Sequence, residues 1–420
     1  MSHIKTKTLD NGCLLVTQTI PNVASAAVSW HLPLGSSTDA ADGTGLSTML
    51  GELIFRGAGD RDSRELSDAF DRLGVQRNSR VLRHHLMLGT VMLADHVVDA
   101  VALTMDMVRR PTLPADAVDP VRSLCLQSIE ALDDDPQQLV GLNLRAHHFP
   151  APFNRHGYGA ADAIQATDVA ALRQVWAERC RPGGSMIAAA GAIDPDALAR
   201  QLETGLAGWA GAASRPKVTA PAARGAHHHR IDTAQMHLAL AFDAPAAADE
   251  ESMLERIGIS ILGGSTSGRL FTEVRQKRSL CYSVGASYEA DRDFGAVTLY
   301  AGTTPQRAAE TLDVCRAEID RLREGVTAAE FGRAVVGLKS RLVMHGESTP
   351  ARAAMLATDL FRRGRARSLD EVAAEIDAIT LDALNAYLAD RVTGPITIAT
   401  IGPEPLPGAA ETAMAARGAG

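Results

Sequence analysis

Residues 45–57 are Gly45-Leu46-Ser47-Thr48-Met49-Leu50-Gly51-Glu52-Leu53-Ile54-Phe55-Arg56-Gly57, and this run carries the main structural information of the N-terminal half. Its large apolar residues recur every three or four positions, which predicts a helix packed against a core. The run also has the spacing of an inverted zinc motif, H-x-x-E-H, whose two histidines and glutamate share one helix. Thr48, Gly51 and Glu52 occupy those three positions. Threonine offers no nitrogen ligand, glycine has no side chain to act as base, and Glu52 remains as one weak oxygen ligand, so we expect a helix without the metal-binding set.

The composition of the chain is that of an ordinary globular protein. Of 420 residues, 46% are hydrophobic and 22% are charged, and the length favours roughly two or three domains. The net charge of -8 disfavours a nucleic-acid partner, because phosphate binding requires clustered lysine and arginine. The five cysteines are scattered without a C-x-x-C pair, which favours neither a disulfide framework nor a cysteine zinc site. No apolar run reaches the length of a membrane span and no signal-peptide core is present, so we expect a cytoplasmic protein.

The sequence contains a tandem repeat. The segment Ile-Gln-Ala-Thr-Asp-Val-Ala-Ala-Leu at residues 164–172 corresponds to Ile-Asp-Ala-Ile-Thr-Leu-Asp-Ala-Leu at residues 376–384, at an offset of 212 residues. In both copies an arginine, a turn and an apolar run follow, which predicts a capped helix, a turn and a buried strand. Residues 211–226 are rich in alanine, proline and glycine, as linkers are. We therefore expect homologous domains at 1–210 and 227–420, joined by this linker.

Strands open each half of the chain and helices follow them. Residues 8–12 (Thr-Leu-Asp-Asn-Gly) predict a hairpin turn, and residues 23–34 and 235–242 have the alternation of strands. Because strands and helices cluster without strict alternation, the pattern favours an α+β fold over a doubly wound one. We expect each domain to consist of an antiparallel-rich sheet with helices packed on one side.

Several segments match a known family in order and spacing. Besides residues 8–12 and 45–57, they are the Asp-Asp-Asp-Pro run at 133–136, the stretch at 149–159, and the Leu-Gly-Gly-Ser-Thr-Ser-Gly-Arg-Leu-Phe run that opens residues 262–284. Together they cover nearly the whole chain and resemble the pitrilysin–insulinase–mitochondrial processing peptidase family. The resemblance implies two tandem domains that form one half of a clamshell around a peptide-degrading chamber.

The resemblance also locates a distal zinc ligand, a glutamate in a Glu-Glu-Ile pattern ahead of an acidic-Asp-Pro turn. Counted back from Pro136, that pattern falls on Gln127 and Ser128, neither of which is a carboxylate. Every ligand of the family's zinc site and its general base are therefore replaced. We expect no metal and no catalysis on this chain alone, with zinc supplied by a homologous partner subunit.

A second feature of the family is retained. Arg275 and Tyr282 resemble its substrate-binding arginine and tyrosine, and we call them the substrate-binding pair. Residues 266–277 predict a helix with Ser265 as its N-cap, and residues 281–288 alternate as a strand. A guanidinium at the helix end and a phenol on the strand can thus converge on one carbonyl. Both are donors, so they can hold a peptide carbonyl and stabilise the charge that develops on its oxygen.

The resemblance implies a non-catalytic, substrate-binding subunit of a heterodimeric zinc metallopeptidase that degrades peptides. An alternative from another class is a structural scaffold, since core proteins of respiratory complexes resemble the same family. The substrate-binding pair favours the first reading, because a scaffold has no use for it. A third reading, an active enzyme with an unrecognised site, is disfavoured by the lack of another His/Glu set with ligand spacing.

Two local predictions complete the sequence reading. Residues 26–33 are the candidate edge strand to which a peptide could add. The triple histidine at 227–229 is expected in a solvated loop, because no carboxylate or cysteine completes a ligand set with it.

Overall fold

The computed structural model describes residues 4–41, 44–409 and 413. They form two compact units, and neither unit is contiguous in sequence. The first comprises Met1–Ala131, Ala151–Ala220 and Met344–Ser368, and the second comprises Leu132–Pro150, Pro221–Val343 and Leu369–Gly420. Each unit thus takes one short segment from the other half of the chain, an exchange that contiguous domains at 1–210 and 227–420 would not include.

The strands fall into two large sheets and one small hairpin. In chain order they are β1 (Ile4–Thr8), β2 (Leu14–Thr19), β3 (Ser25–Leu32), β4 (Gly57–Ala58), β5 (Arg61–Asp62), β6 (Gln76–Val81), β7 (Leu86–Leu93), β8 (Met186–Gly191), β9 (Ala226–Arg230), β10 (Met236–Ala244), β11 (Cys281–Ala290), β12 (Gly295–Thr303) and β13 (Thr397–Gly402).

Helices make up the rest of the regular structure, and none in the described part of the chain is both long and apolar enough to cross a bilayer. They are α1 (Leu46–Leu53), α2 (Ser63–Arg72), α3 (Val97–Arg109), α4 (Val118–Glu130), α5 (Pro136–His148), α6 (Ala161–Ala166), α7 (Val169–Arg179), α8 (Pro195–Gly205), α9 (Ser252–Gly263), α10 (Ala308–Arg321), α11 (Ala328–Gly346), α12 (Thr349–Arg363), α13 (Leu369–Asp377) and α14 (Leu381–Asp390).

The two sheets share one topology, which confirms the predicted duplication. The first sheet has the order β1-β2-β8-β3-β7-β6, and the second has the order β11-β12-β10-β13-β9. Read from β6, the first sheet repeats the second strand for strand and adds β1 at its far edge. In each sheet one pair is parallel, β2 with β8 and β9 with β13, while the other pairs are antiparallel. The fold is α+β, as expected.

The exchanged segments cover the sheet face opposite the main helical layer. In the first unit, α12 places Leu356 against a face of small residues that includes Ala27 and Ala188. In the second unit, α5 places Leu144 against Ala241 and its neighbours in the same way. Small side chains on the sheet let a helix approach closely, and each leucine so buried stabilises the unit by about 2 kcal/mol.

Two local predictions are wrong. Residues 26–33 do not form a sheet edge, because β3 pairs with β7 on one side and with β8 on the other. The triple histidine is not in a loop but in β9, which pairs in parallel with β13. There the ring of His227 stacks on that of His147, with centroids 3.4 Å apart, and His228 Nδ1 lies 2.9 Å from Thr400 Oγ1. Pairing with a buried neighbouring strand overrides the weak strand preference of the segment itself.

Candidate functional site

The helix α1 keeps a firmly anchored start in the first unit. Gly45, at a φ of 115°, precedes its first turn. The buried carboxylate of Asp39 accepts hydrogen bonds from the backbone N–H of Gly45 (2.8 Å) and from Ser47 Oγ (2.5 Å). Burial raises the pKa of Asp39, and these hydrogen bonds oppose that rise. The helix of the motif is therefore fixed in place although its catalytic residues are absent.

The three motif positions on α1 are occupied in ways that leave no ligand set. Thr48 Oγ1 donates a 2.5 Å hydrogen bond to the carbonyl of Gly157, which commits its proton. Gly51 is buried, and its carbonyl accepts a 2.9 Å hydrogen bond from Ser79 Oγ. Glu52 is exposed and is the one carboxylate at these positions.

The distal positions lie on α4, which packs against α1. Gln127 and Ser128 are both exposed, and Ser128 Oγ donates to the carbonyl of Leu124 at 2.9 Å. Cys125 is a buried residue of α4 whose thiol pKa is influenced by Glu52 on α1, and the sequence analysis did not single it out. Burial first, and the Glu52 carboxylate second, raise the pKa of the Cys125 thiol to about 11. The thiol is therefore protonated at neutral pH and is not poised to bind a metal.

These residues do not fit the zinc ion that the motif would hold. Catalytic zinc takes three protein ligands from histidine, cysteine or carboxylate side chains. Among residues 4–41 and 44–409, no group of three or more such side chains is placed to hold a metal ion. The motif positions offer the hydrogen-bonded hydroxyl of Thr48, the exposed carboxylate of Glu52 and the exposed amide of Gln127, while Gly51 has no side chain. These groups do not form such a set.

The first member of the predicted substrate-binding pair, Arg275, lies on a helical segment of the second unit at residues 269–276, whose Phe271–Gln276 part is π-helical. The predicted start after Ser265 is wrong, because the Ser265 carbonyl accepts from Gly268 N in a separate turn. Arg275 is exposed, and its Cζ lies 4.9 Å from the centroid of the Phe271 ring. Such a cation–π contact orients the guanidinium without using its hydrogen-bond donors.

The second member lies at an irregular point of an edge strand. Within β11, Cys281 is paired with Thr303 and Ser283 with Gly302, so Tyr282 is the extra residue of a β-bulge. Bulges re-aim a side chain, and Tyr282 is 70% exposed. The phenol therefore projects from the sheet edge with its hydroxyl available to a ligand.

A short hydrogen-bonded turn joins the two members. Ser279 N donates to the Arg275 carbonyl at 3.1 Å, and Leu280 N donates to the Val274 carbonyl at 2.9 Å. The start of β11 is thereby held against the end of the helical segment. Burial raises the pKa of the Cys281 thiol, and the charge of Arg275 opposes that rise. Two exposed donors thus lie on either side of this hydrogen-bonded turn.

Comparison with known proteins agrees with this architecture. Residues 14–159 match the model of the insulinase family (peptidase family M16), and residues 167–338 match that of the peptidase M16 inactive domain. An uncharacterized zinc protease of Mycobacterium tuberculosis is 28% identical over 404 residues, which cover 94% of this chain and 92% of that protein.

Solved structures show the same fold. The peptidase M16 inactive domain from Pseudomonas fluorescens superposes with a TM-score of 0.85 at 20% identity, over 96% of this chain and 98% of that one. A chain of Complex III2 from Candida albicans superposes with a TM-score of 0.81 at 19% identity, over 95% and 96%. Two models of one family match the chain in tandem order, and the histidines and the glutamate of the zinc motif are replaced. The chain therefore belongs to the M16, pitrilysin-like peptidase family as a member that lacks the catalytic motif.

Proposed function

We propose that this protein is the non-catalytic, substrate-binding subunit of a heterodimeric zinc metallopeptidase that degrades peptides. A homologous partner with an intact H-x-x-E-H motif would supply the zinc ion and the general base. This chain would form one half of the enclosing shell and contribute the substrate-binding pair. The proposal accounts for a chain that keeps the anchored α1 helix and has lost both histidines and the general base of the motif on it.

The observation that carries the proposal is the presentation of Arg275 and Tyr282. Both side chains are exposed on either side of one turn, Arg275 on the helical segment beside Phe271 and Tyr282 on the bulge of β11. An exposed tyrosine of this kind contributes little to the core of its own unit, so its value lies in a ligand. Donors held rigidly toward a carbonyl oxygen are worth most when charge develops on that oxygen in the transition state.

The test is peptide cleavage by the complex reconstituted with its zinc-bearing homologue. Tyr282→Phe and Arg275→Gln should each lower kcat/KM by about 10²–10³-fold, because each removes one preorganised donor. Zinc content and assembly should stay unchanged, since neither side chain is buried. Arg323→Gln, at another exposed arginine of the second unit, is the matched control and should cleave normally.

A scaffold without proteolytic role is the second candidate. The fold shared with a chain of Complex III2 favours it, although that likeness extends to the fold alone. A scaffold predicts that Tyr282→Phe and Arg275→Gln leave every activity of the assembly untouched. Cleavage at the wild-type rate by both variants would make the scaffold the better description.

The assembly itself gives a further test of the proposal. A stable 1:1 complex with the zinc-bearing homologue should bury more than roughly 2,000 Å², and sedimentation of the mixture would detect it. We place this complex in the cytoplasm, because all five cysteines are buried free thiols, as suits a reducing compartment. A protein that sediments as a monomer in native extract would contradict the subunit role.

A further inference from the structure

The second unit contains a small polar cavity that the substrate-binding pair does not use. We call it the α9–α11 pocket; its volume is about 180 Å³, and it lies between the end of α9, the loop at residues 264–268 and α11. The polar and charged side chains that line it are those of Ser260, Ser265, Ser267, Glu330, Arg333 and Arg341.

The position of this pocket follows from the duplication. The helix α9 follows β10 as α1 follows β3, and α11 follows α10 as α4 follows α3. The strands β10 and β3 occupy the same place in the two matching sheets. The pocket therefore lies at the second unit's counterpart of the degenerate zinc motif, between the two equivalent helices.

The charges that line the pocket leave a positive excess. The Glu330 carboxylate accepts from Arg269 Nε at 2.7 Å and from Thr327 N at 2.8 Å. Burial raises the pKa of Glu330, but these partners outweigh it and hold the pKa at about 2, so the carboxylate is ionised and is paired with Arg269. Arg341 Nη2 lies 3.4 Å from Ser260 Oγ, and Arg333 has no acceptor in the described chain. Two guanidinium groups thus line the cavity without a carboxylate partner.

The loop adds neutral donors to these charges. The backbone N–H groups of Ser265, Thr266 and Ser267 donate to no backbone or side-chain acceptor in the described residues. Ser265 Oγ and Ser267 Oγ lie 3.0 Å apart, so one of these hydroxyls can still donate outward. Consecutive amide groups in a turn form a concavity that attracts anions. Loop and guanidinium groups together make a donor-rich, acceptor-poor surface.

We propose that the α9–α11 pocket binds a carboxylate group of the peptide substrate. Arginine presents a planar fork that matches the two oxygens of a carboxylate. A cavity of about 180 Å³ suits the end of a peptide and is below the range of about 300–1,000 Å³ typical of larger ligands. The helical segment that carries Arg275 begins beside this pocket, since Arg269 contacts Glu330. The inference rests on the proposed function and deepens it, because it makes a free carboxylate the feature by which peptides are selected.

The first experiment tests the pocket without reference to proteolysis. Binding of N-acetylglycine, N-acetylaspartic acid α-amide and N-acetylglycinamide to the full chain is followed by ligand-observed NMR. The first carries a terminal carboxylate, the second a side-chain carboxylate, and the third none. The carboxylates should bind and the amide should not, and 0.5 M NaCl should weaken the binding because ionic contacts are screened.

Matched variants locate the binding. Arg333→Gln and Arg341→Gln should each weaken N-acetylglycine binding about tenfold or more, because each removes a charged hydrogen-bond donor. Both side chains are exposed, so the fold should persist, and Arg323→Gln should bind like the wild type. Preference for the first probe assigns the pocket to the peptide C-terminus, and preference for the second assigns it to an acidic side chain.

A second measurement separates this inference from the proposed function. In the reconstituted complex, Arg333→Gln and Arg341→Gln should raise KM for a peptide with a free carboxylate and leave KM for its amide unchanged. Failure of the Arg275 and Tyr282 variants to slow cleavage would refute the proposed function and leave N-acetylglycine binding intact. Equal binding of N-acetylglycine and its amide, or tight binding of inorganic phosphate alone, would overturn the carboxylate site.

Discussion

Rebuilding the zinc motif would test whether α1 and α4 hold the positions assigned to them. The triple variant combines Thr48→His, Gly51→Glu and Glu52→His, and the quadruple variant adds Ser128→Glu. Two histidines alone leave the site one ligand short, whereas the added glutamate completes the three that a catalytic zinc site requires. We expect the triple variant to bind zinc weakly and the quadruple variant to bind one zinc ion tightly.

The structure indicates that α1 tolerates these changes. Thr48→His breaks the 2.5 Å hydrogen bond to Gly157, a loss of about 1 kcal/mol. A Cβ at residue 51 would lie 3.2 Å from Leu86 Cδ1, the flexible end of that side chain, while replacing a helical glycine restores roughly 0.5–1 kcal/mol. Glu52 is exposed, so its replacement costs little. Gly51 is buried, so Gly51→Glu also buries a carboxyl group, which costs about 1–3 kcal/mol. The free energy of unfolding of the metal-free variants should therefore be lower than that of the wild type by about 1–3 kcal/mol.

Zinc analysis after dialysis, with thermal unfolding in the presence and absence of a chelator, is the assay. At free zinc a thousandfold above its dissociation constant, the quadruple variant should gain about 4 kcal/mol of stability. A control with Ser123→Glu in place of Ser128→Glu puts the carboxylate elsewhere on α4 and should bind no better than the triple variant. If neither Ser128→Glu nor Gln127→Glu raises the zinc affinity, the assignment of α4 is refuted.

Two further predictions concern stability. Burial lowers the pKa of His31 from 6.5 to about 4. The neutral imidazole therefore contributes fully to the free energy of unfolding above pH 6.5. That contribution, about 3 kcal/mol in all, is lost progressively as the pH falls to about 4. Denaturant titrations from pH 7.5 to 4.5 should show this slope and should show a smaller one in His31→Gln, because burial also lowers the pKa of His148 to about 4; an unchanged slope would contradict the assignment. Arg391→Ala should destabilise the second unit by about 3–5 kcal/mol, because it leaves the fully buried Glu255 carboxylate without the guanidinium 2.5 Å away. The double variant Arg391→Met, Glu255→Leu should recover most of that loss in the same unfolding assay, and a double variant no more stable than Arg391→Ala would count against a desolvation cost.

Those features of the site that depend only on which residue type stands at a position could be predicted from the sequence. The identities of Thr48 and Glu52 exclude the two imidazole ligands of the motif whatever the fold, and Gly51 excludes its general base, because glycine has no side chain. The identity of Arg275 and Tyr282 likewise fixed which donors are present. Their presentation was not predictable: the helix begins at residue 269, and the bulge at Tyr282 exists because the pairing of β11 with β12 shifts register there.

What the sequence by itself determined was the α+β class, the duplication and the loss of the ligands, since periodicity, caps and motif spacing are local properties. Only the tertiary structure decided that α5 covers the sheet of the second unit and α12 the sheet of the first. It also decided that β3 is an interior strand and that the triple histidine forms a strand. It also brought Cys125 under the influence of Glu52. The physical reason is that strand order and the covering of a sheet depend on burial between residues distant in sequence, and a local pattern of apolar residues does not specify its partner.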